Sequence, residues 1–218
     1  MYFYQVDRVN LTHKVKEYAH FITGRTLDVG AGENQRYSFP SSKYVRMNTD
    51  MNQDVPGGAK TDVVGRAEDI PVPDASFNSI ICTQTLVDVF DLQKAFGEFT
   101  RVLKPGGMLL VTTPFMLDRQ DSEYQYWHMT DHALRRLSVE NGFEVVALEG
   151  CGGFWSGMVQ LISRYLLRRF KLKKRRWARL ASAIIGRIGT LAIYLDTHSK
   201  NEAGKHFTDN WILVARKV

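Results

Sequence analysis

The stretch Leu27-Asp28-Val29-Gly30-Ala31-Gly32 constrains this chain more than any other. Thr26–Val29 is a short β run that ends on a glycine turn, where missing Cβ atoms let the backbone pass close to a bound molecule. Nucleotide-binding dehydrogenases use a similar device but require a third glycine, and Gln35 holds that position here.

The rest of the chain alternates in a way that fits such a strand. Lys43–Met47, Thr61–Val64, Phe77–Cys82, Met108–Thr113, Phe143–Leu148 and Trp211–Arg216 read as further strands. Between them, Asp91–Leu103 has helical spacing (Leu92, Ala95, Phe96, Phe99, Leu103) and stops at Pro105-Gly106-Gly107. Thr130–Asn141 is a helix capped by Thr130 or Asp131 and ended by Gly142. Asn52–Lys60 and Ala67–Ser76 read as loops, and Thr12–Phe21 as a short helix in a mixed, mostly polar beginning. Strand–helix alternation of this kind implies a parallel α/β sheet. With 44% hydrophobic and 24% charged residues in 218, the chain can bury one core without staples. Cys82 and Cys151 lack metal-ligand spacing, so no metal site is expected, and Cys82 is expected in the core. Nothing at the start reads as a signal peptide, which makes a reducing cytoplasm the expected compartment.

Several segments, in order, resemble the class I S-adenosylmethionine-dependent methyltransferases, in particular the type 11-like members. The Leu27–Gly32 strand and turn resembles their first motif. Ala67-Glu68-Asp69-Ile70-Pro71 followed by Asp74-Ala75-Ser76-Phe77 is similar to the stretch before their fourth strand. Arg101-Val102-Leu103-Lys104-Pro105-Gly106-Gly107 resembles the turn before their fifth, where a structural role is expected. Thr113-Pro114-Phe115 and Tyr126-Trp127-His128-Met129-Thr130 are similar to a subgroup associated with bacterial glycan biosynthesis.

The resemblance implies a Rossmann-like, seven-stranded, mostly parallel sheet with helices on both faces and an antiparallel last strand. It implies S-adenosyl-L-methionine as cofactor, with Gly30, Ala31 and Gly32 passing under its amino-acid end and Asp28 orienting that loop or meeting the ammonium. Either Asn48 or Asp50 would take the ribose diol, since a carboxylate or amide oxygen accepts hydrogen bonds from hydroxyls. Ala67, Glu68 and Asp69 would lie against the adenine, and Thr83 and Gln84 would face the methionine moiety. Three positions depart from the pattern: Asn48 stands where an acid is usual, Arg66 precedes Ala67, and Val87-Asp88 replaces a Glu-His pair. The stretch between Gly32 and Tyr44 is also too short for a full helix with loops.

Methyl transfer from a sulfonium is an in-line displacement that positioning accelerates, and a base is needed only when the acceptor must lose a proton. His128 is the leading candidate for that base, with Asp88, Asp131 and His132 behind it. Tyr126 and Trp127 could wall a sugar ring or simply pack.

One segment stands apart from the core of residues 24–149 and 207–218. The helical insertion 150–206 carries ten of the chain's 29 Lys/Arg between Arg164 and Arg187, with no Asp or Glu among them. The remaining 19 are outnumbered by 23 acids, so the net charge of +6 is a local property. Phe154–Leu195 reads as one or two amphipathic helices, with Trp177, Leu180, Ile184, Ile188, Leu191 and Leu195 on one stripe. Leu180–Leu195, interrupted by Arg187, is too short to span a bilayer. The stripe could cover the sheet or form a dimer contact. With residues 164–187 it could instead meet an anionic membrane surface or, as a weaker fit, the phosphates of nucleic acid. The function expected is O-methylation of a saccharide or lipid-linked glycan. RNA or small-metabolite methylation and a non-catalytic scaffold at a membrane are the alternatives.

Overall fold

In a computed structural model, residues 5–32, 37–49, 61–118, 123–170, 175–198 and 206–218 are described, with main chain only at 175–179. The strands are β1 (Gly24–Val29), β2 (Ser41–Asn48), β3 (Val63–Val64), β4 (Phe77–Thr83), β5 (Leu103–Pro114), β6 (Phe143–Cys151) and β7 (Asn210–Lys217). They form one seven-stranded sheet in the order β3-β2-β1-β4-β5-β7-β6. Every pairing from β3 to β5 is parallel, and β7 runs antiparallel to both neighbours.

Alternation along the central strands sends side chains to two cores. Ile80, Leu109 and Leu213 enter one, with Phe96, Phe99 and Val102 of α2 (Leu92–Val102) and Leu134 of α3 (Asp131–Glu140). Their neighbours Ile81, Leu110 and Val214 enter the other, under Leu11 and Val15 of α1 (Val6–Tyr18). Helices therefore cover both faces, because successive residues of a strand point to opposite sides. Both short helices start on a side-chain cap: Asp91 accepts from the Lys94 N–H and Thr130 from the Ala133 N–H. At the far end of α2, the Lys217 ammonium donates to the carbonyls of Thr100 and Leu103 at 2.6 and 2.8 Å. This closes the last strand onto the helix whose final carbonyls would otherwise lack partners.

One expected boundary shifts. The first helix begins at Val6, not Thr12, and only its end at Ala19–Phe21 is a tighter 3-10 turn. Between β1 and β2 no helix occurs among the described residues; Tyr37 and Phe39 pack into the second core instead. The insertion forms two helices, α4 (Phe154–Arg169) and α5 (Arg175–His198). In α5 the 19-residue segment Leu180–His198 holds an 18-residue window of mean hydropathy 1.2, long and apolar enough by length and composition to cross a bilayer. The helix runs three residues beyond Leu195, the expected end of the apolar run.

Phe99 is fully buried between α2 and the sheet. Phe99→Ala should lower the unfolding free energy by about 3–5 kcal/mol, measured by urea titration.

Candidate active site

Where the strand order reverses, β1 and β4 lie side by side and their C-terminal ends diverge into a crevice, the usual ligand position in an open α/β sheet. Two cavities occupy this end. The larger, of about 600 Å³, is lined by Gly30, Gly32, Asn48, Thr49, Ala67 and Glu68 among others. The smaller, of about 220 Å³, is lined by Asp28, Ala31, Tyr44 and Pro114 on the sheet side, and by Asp7, Arg8 and Arg164 on the helical side. Gly30, Gly32, Thr83, Gln84 and Asp88 belong to both, so the two hollows share a wall.

The glycine turn is fixed from two strands. The N–H groups of Gly30 and Ala31 donate to the Met47 carbonyl at 2.9 and 3.2 Å, and the Gly32 N–H donates to Asn48 Oδ1 at 3.0 Å. The two glycines serve different ends. Gly30 has φ +71°, and a Cβ there would lie 2.3 Å from the Thr85 hydroxyl oxygen. Gly32 has φ +61°, and a Cβ there would meet only the Gly30 carbonyl, at 3.9 Å. Thr85 therefore requires the first glycine, whereas the second borders open space. Thr85 also holds its hydroxyl 3.2–3.3 Å from the carbonyls of Thr83 and Val29, joining the ends of β4 and β1.

Asp28 is the most unusual group in the crevice. It is buried, accepts a short hydrogen bond from the Tyr44 hydroxyl on Oδ2, and leaves Oδ1 without a donor among the described residues. Burial pushes its carboxyl up to about 6, only partly opposed by the Tyr44 hydroxyl and the nearby Arg46 charge. A buried carboxylate oxygen with no partner is costly, and one that borders a cavity is a ready acceptor for a cationic or N–H group.

The other expected residues divide. Asn48 is buried at the end of β2, where its amide links the Gly32 N–H to the Thr61 hydroxyl. Asp50 lies outside the described residues. Ala67 and Glu68 line the larger cavity, but Asp69 is exposed and off it, its main chain paired with Arg66. Arg101 secures this loop, donating to the carbonyls of Ile70 and Val72 and to Asp74, while Glu98 accepts from the Ile70 N–H. Thr83 and Gln84 line both cavities, and Gln84 sits at φ +58° with its N–H on the Thr112 carbonyl at 2.8 Å.

His128 is not brought to either cavity. It lies on the exposed loop before α3, its ring nitrogen 2.8 Å from the Gln125 amide. The neighbouring aromatics pack. Trp127 donates its indole N–H to the Val89 carbonyl at 2.9 Å, and Tyr126 meets Phe90 edge-on. Through these contacts, and two main-chain bonds to Val87, the loop holds the turn that presents Asp88. Asp88 lines both cavities, and burial raises its carboxyl above the ordinary range. Cys82 is buried in the sheet and its thiol is pushed up, so it is inert. Among the described residues no cluster of His, Cys, Asp or Glu could hold a metal ion.

The sequence reading missed the far wall. Asp7 and Arg8 of α1 line the smaller cavity opposite Asp28. Arg164 of α4, counted with the surface cations, turns inward and pairs with Asp118 at 2.9 Å and Asp7 at 3.5 Å. Arg168 reaches the other oxygen of Asp118 at 3.1 Å. No local pattern marks such pairs, which join residues far apart in the chain.

Residues 27–111 match the family described as Methyltransferase domain. Over 60 residues the chain is 45% identical to the ubiquinone/menaquinone biosynthesis C-methyltransferase UbiE of Marinomonas sp. (strain MWYL1), a stretch of 28% of this chain and 24% of that relative. Phosphoethanolamine N-methyltransferase 2 of Haemonchus contortus, solved with S-adenosyl-L-methionine, superposes on 96% of this chain and 52% of its own, with a TM-score of 0.59 and 17% identity. The fold is that of the class I methyltransferases. The (4+2)-cyclase SpnF shares it at a TM-score of 0.58 and 19% identity, over 97% of this chain and 81% of its own. A methyltransferase fold alone therefore does not name a reaction.

The two glycines of the methyltransferase-like turn should respond differently to a methyl group. Gly32→Ala should cost about 1–2 kcal/mol for its positive φ alone. Gly30→Ala adds the collision with Thr85 and should cost roughly 3–5 kcal/mol in urea unfolding.

Proposed function

We propose that the chain is an S-adenosyl-L-methionine-dependent methyltransferase that methylates an oxygen of a saccharide or lipid-linked glycan. The observation that carries the reading is the polar crevice at the β1 turn, lined by Asp28, whose Oδ1 has no partner among the described residues. A bare scaffold would gain stability by filling such a hollow and by pairing or replacing that carboxylate.

The residues present fit the cofactor. Asp28 Oδ1 is free to accept from an ammonium, and the main chain at Gly32 can be approached closely. Asn48, Thr49, Ala67 and Glu68 line the cavity large enough for the nucleoside. When bound, S-adenosyl-L-methionine supplies an electrophilic methyl group on a sulfonium. Asp88, on the wall common to both hollows, would hold the proton of an acceptor hydroxyl; its raised carboxyl makes it a better base than an exposed aspartate. Asp7, Arg8 and Arg164 give the smaller cavity the hydrogen-bonding lining that a hydroxyl-rich acceptor needs. The saccharide assignment rests on these groups and on the resemblance of residues 113–130 to the glycan-associated subgroup.

Isothermal titration with S-adenosylhomocysteine tests the cofactor site. The free carboxyl of Asp28 titrates near 6, and the ammonium binds its ionised form. Affinity should therefore be about tenfold weaker at pH 5 than at pH 7, because most of the carboxyl is protonated at the lower pH. Asp28→Asn should weaken binding roughly ten- to a hundredfold and flatten that dependence. Absence of heat at high ligand concentration would remove the enzyme reading. Transfer of labelled methyl to fractionated lipids, glycans or RNA then identifies the acceptor, and Asp88→Asn should lower kcat with little change in cofactor affinity.

A further inference from the structure

The hairpin of α4 and α5 is packed opposite to a hairpin in water. The buried face of α4 consists of Ser156, Gly157, Gln160 and Ser163, all small or polar. That face meets the body of the domain, Ser156 and Gly157 beside Asp209 and Gln160 at Val6 of α1. On α5 the buried positions are the small residues Gly189 and Ala192, and Asp196 joins the two helices, its carboxylate accepting from the N–H groups of Trp155 and Ser156 at 3.0 and 2.8 Å. The large apolar residues point outward. On α4, Trp155, Ile162, Tyr165 and Leu166 are exposed. On α5, Leu180, Ile184, Ile188, Leu191 and Leu195 recur at three- and four-residue spacing as one exposed stripe, Ile188 at 50% and Leu191 at 58%. A soluble helix buries its large apolar face and wets its small and polar one. The stripe therefore does not cover the sheet.

Charge decides what does cover it. Between Arg164 and Arg187 the chain has ten cations and no acid. Arg164 and Arg168 are engaged with Asp118, while Arg169 and Arg187 remain exposed beside the apolar faces. A second copy of this chain would set cation against cation, whereas an anionic lipid surface complements both the charge and the apolar stripe. We propose that the α4–α5 hairpin is a membrane-docking element that lies in the headgroup region of an anionic bilayer. It lies along the surface rather than across it. A spanning α5 would have to leave α4, lose the Asp196 bonds that start that helix, and carry Arg187 into hydrocarbon. Docked in this way, α4 lies between the lipid surface and the smaller cavity, which its inward-turned Arg164 lines. The inference is independent of the chemistry proposed above.

Flotation of the full chain with phosphatidylcholine vesicles, with and without about 30 mol% phosphatidylglycerol, tests it. The chain should float only with the anionic vesicles and be largely released at about 1 M salt. Arg169→Glu with Arg187→Glu should weaken binding at least about tenfold. Ile188→Glu with Leu191→Glu should abolish flotation while leaving the thermal unfolding midpoint and the S-adenosylhomocysteine titration unchanged, since both side chains are exposed. Equal flotation on neutral and anionic vesicles, or none on either, would overturn the proposal. So would retention through an alkaline carbonate wash, which marks a spanning helix, or a solution dimer that Ile188→Glu dissociates in a chain that never floats.

Discussion

The crevice depends on how the end of β1 is clamped between its neighbours. Met47 and Asn48 hold the turn from β2, and Thr85 presses on it from β4. With Gly30 at φ +71° the chain leaves the sheet without closing over the gap between β1 and β4. Any Cβ at that point would push Thr85 away and separate the two strands whose adjacency defines the switch point. The hollow is thus a consequence of one tight contact. The same clamp buries Asp28 two residues before it, where β1 pairs with β2 and β4 on both sides and Oδ1 has no partner among the described residues. The chain carries a destabilising carboxylate at a residue that lines the cavity, with no side chain to pair its Oδ1 among the described residues.

Much of this was legible in the sequence, and the parts that were share a cause. Phe77–Cys82 and Met108–Thr113 are runs of apolar and β-branched residues bounded by turn formers, and both are central strands buried on two faces. Ends were less legible: β2 begins at Ser41 and β5 at Leu103, because polar residues at strand ends pair through main chain that carries no sequence signal. The first helix was hidden for a similar reason. Its buried positions, Val6, Asp7, Leu11 and Val15, include a carboxylate and leave too thin an apolar stripe to mark the first turn. At the site, the glycines, Asn48, Ala67, Glu68, Thr83 and Gln84 came together as motif order suggested. His128 stayed outside because Tyr126 and Trp127 are spent on holding the Val87–Val89 turn. The motif places that loop correctly but does not say which way its histidine turns.

Arg164 shows the limit of reading charge along the chain. In sequence it opens a run of cations, and the run as a whole suits an anionic surface. In space it is largely buried between Asp7 and Asp118, because α4 crosses above the smaller cavity and brings its inward face against α1. The insertion therefore has two sides with different work. The outer side has large apolar residues and free cations, and the inner side has small residues and one engaged arginine. Composition alone merges them.

The inner side also decides how the cavity's roof is held. Val6 of α1 donates its N–H to the Gln160 side chain at 3.0 Å, and Asn10 and Ser156 both reach Asp209 at the start of β7. Asp209 is buried with one oxygen unpaired, and burial together with the charge of Asp7 pushes its carboxyl up to about 7. Asp7 is likewise raised by burial, opposed by Arg164. Arg164 thus pairs with Asp7 and Asp118, while Asp209 lies close enough to feel the charge of Asp7. Buried polar networks of this kind contribute little net stability, because desolvation offsets most of the Coulomb attraction. The roof over the smaller cavity combines these directional bonds with the buried Val6 side chain, while Leu11 and Val15 further along α1 anchor it to the sheet. The Val6 end of α1 faces the smaller cavity and α4.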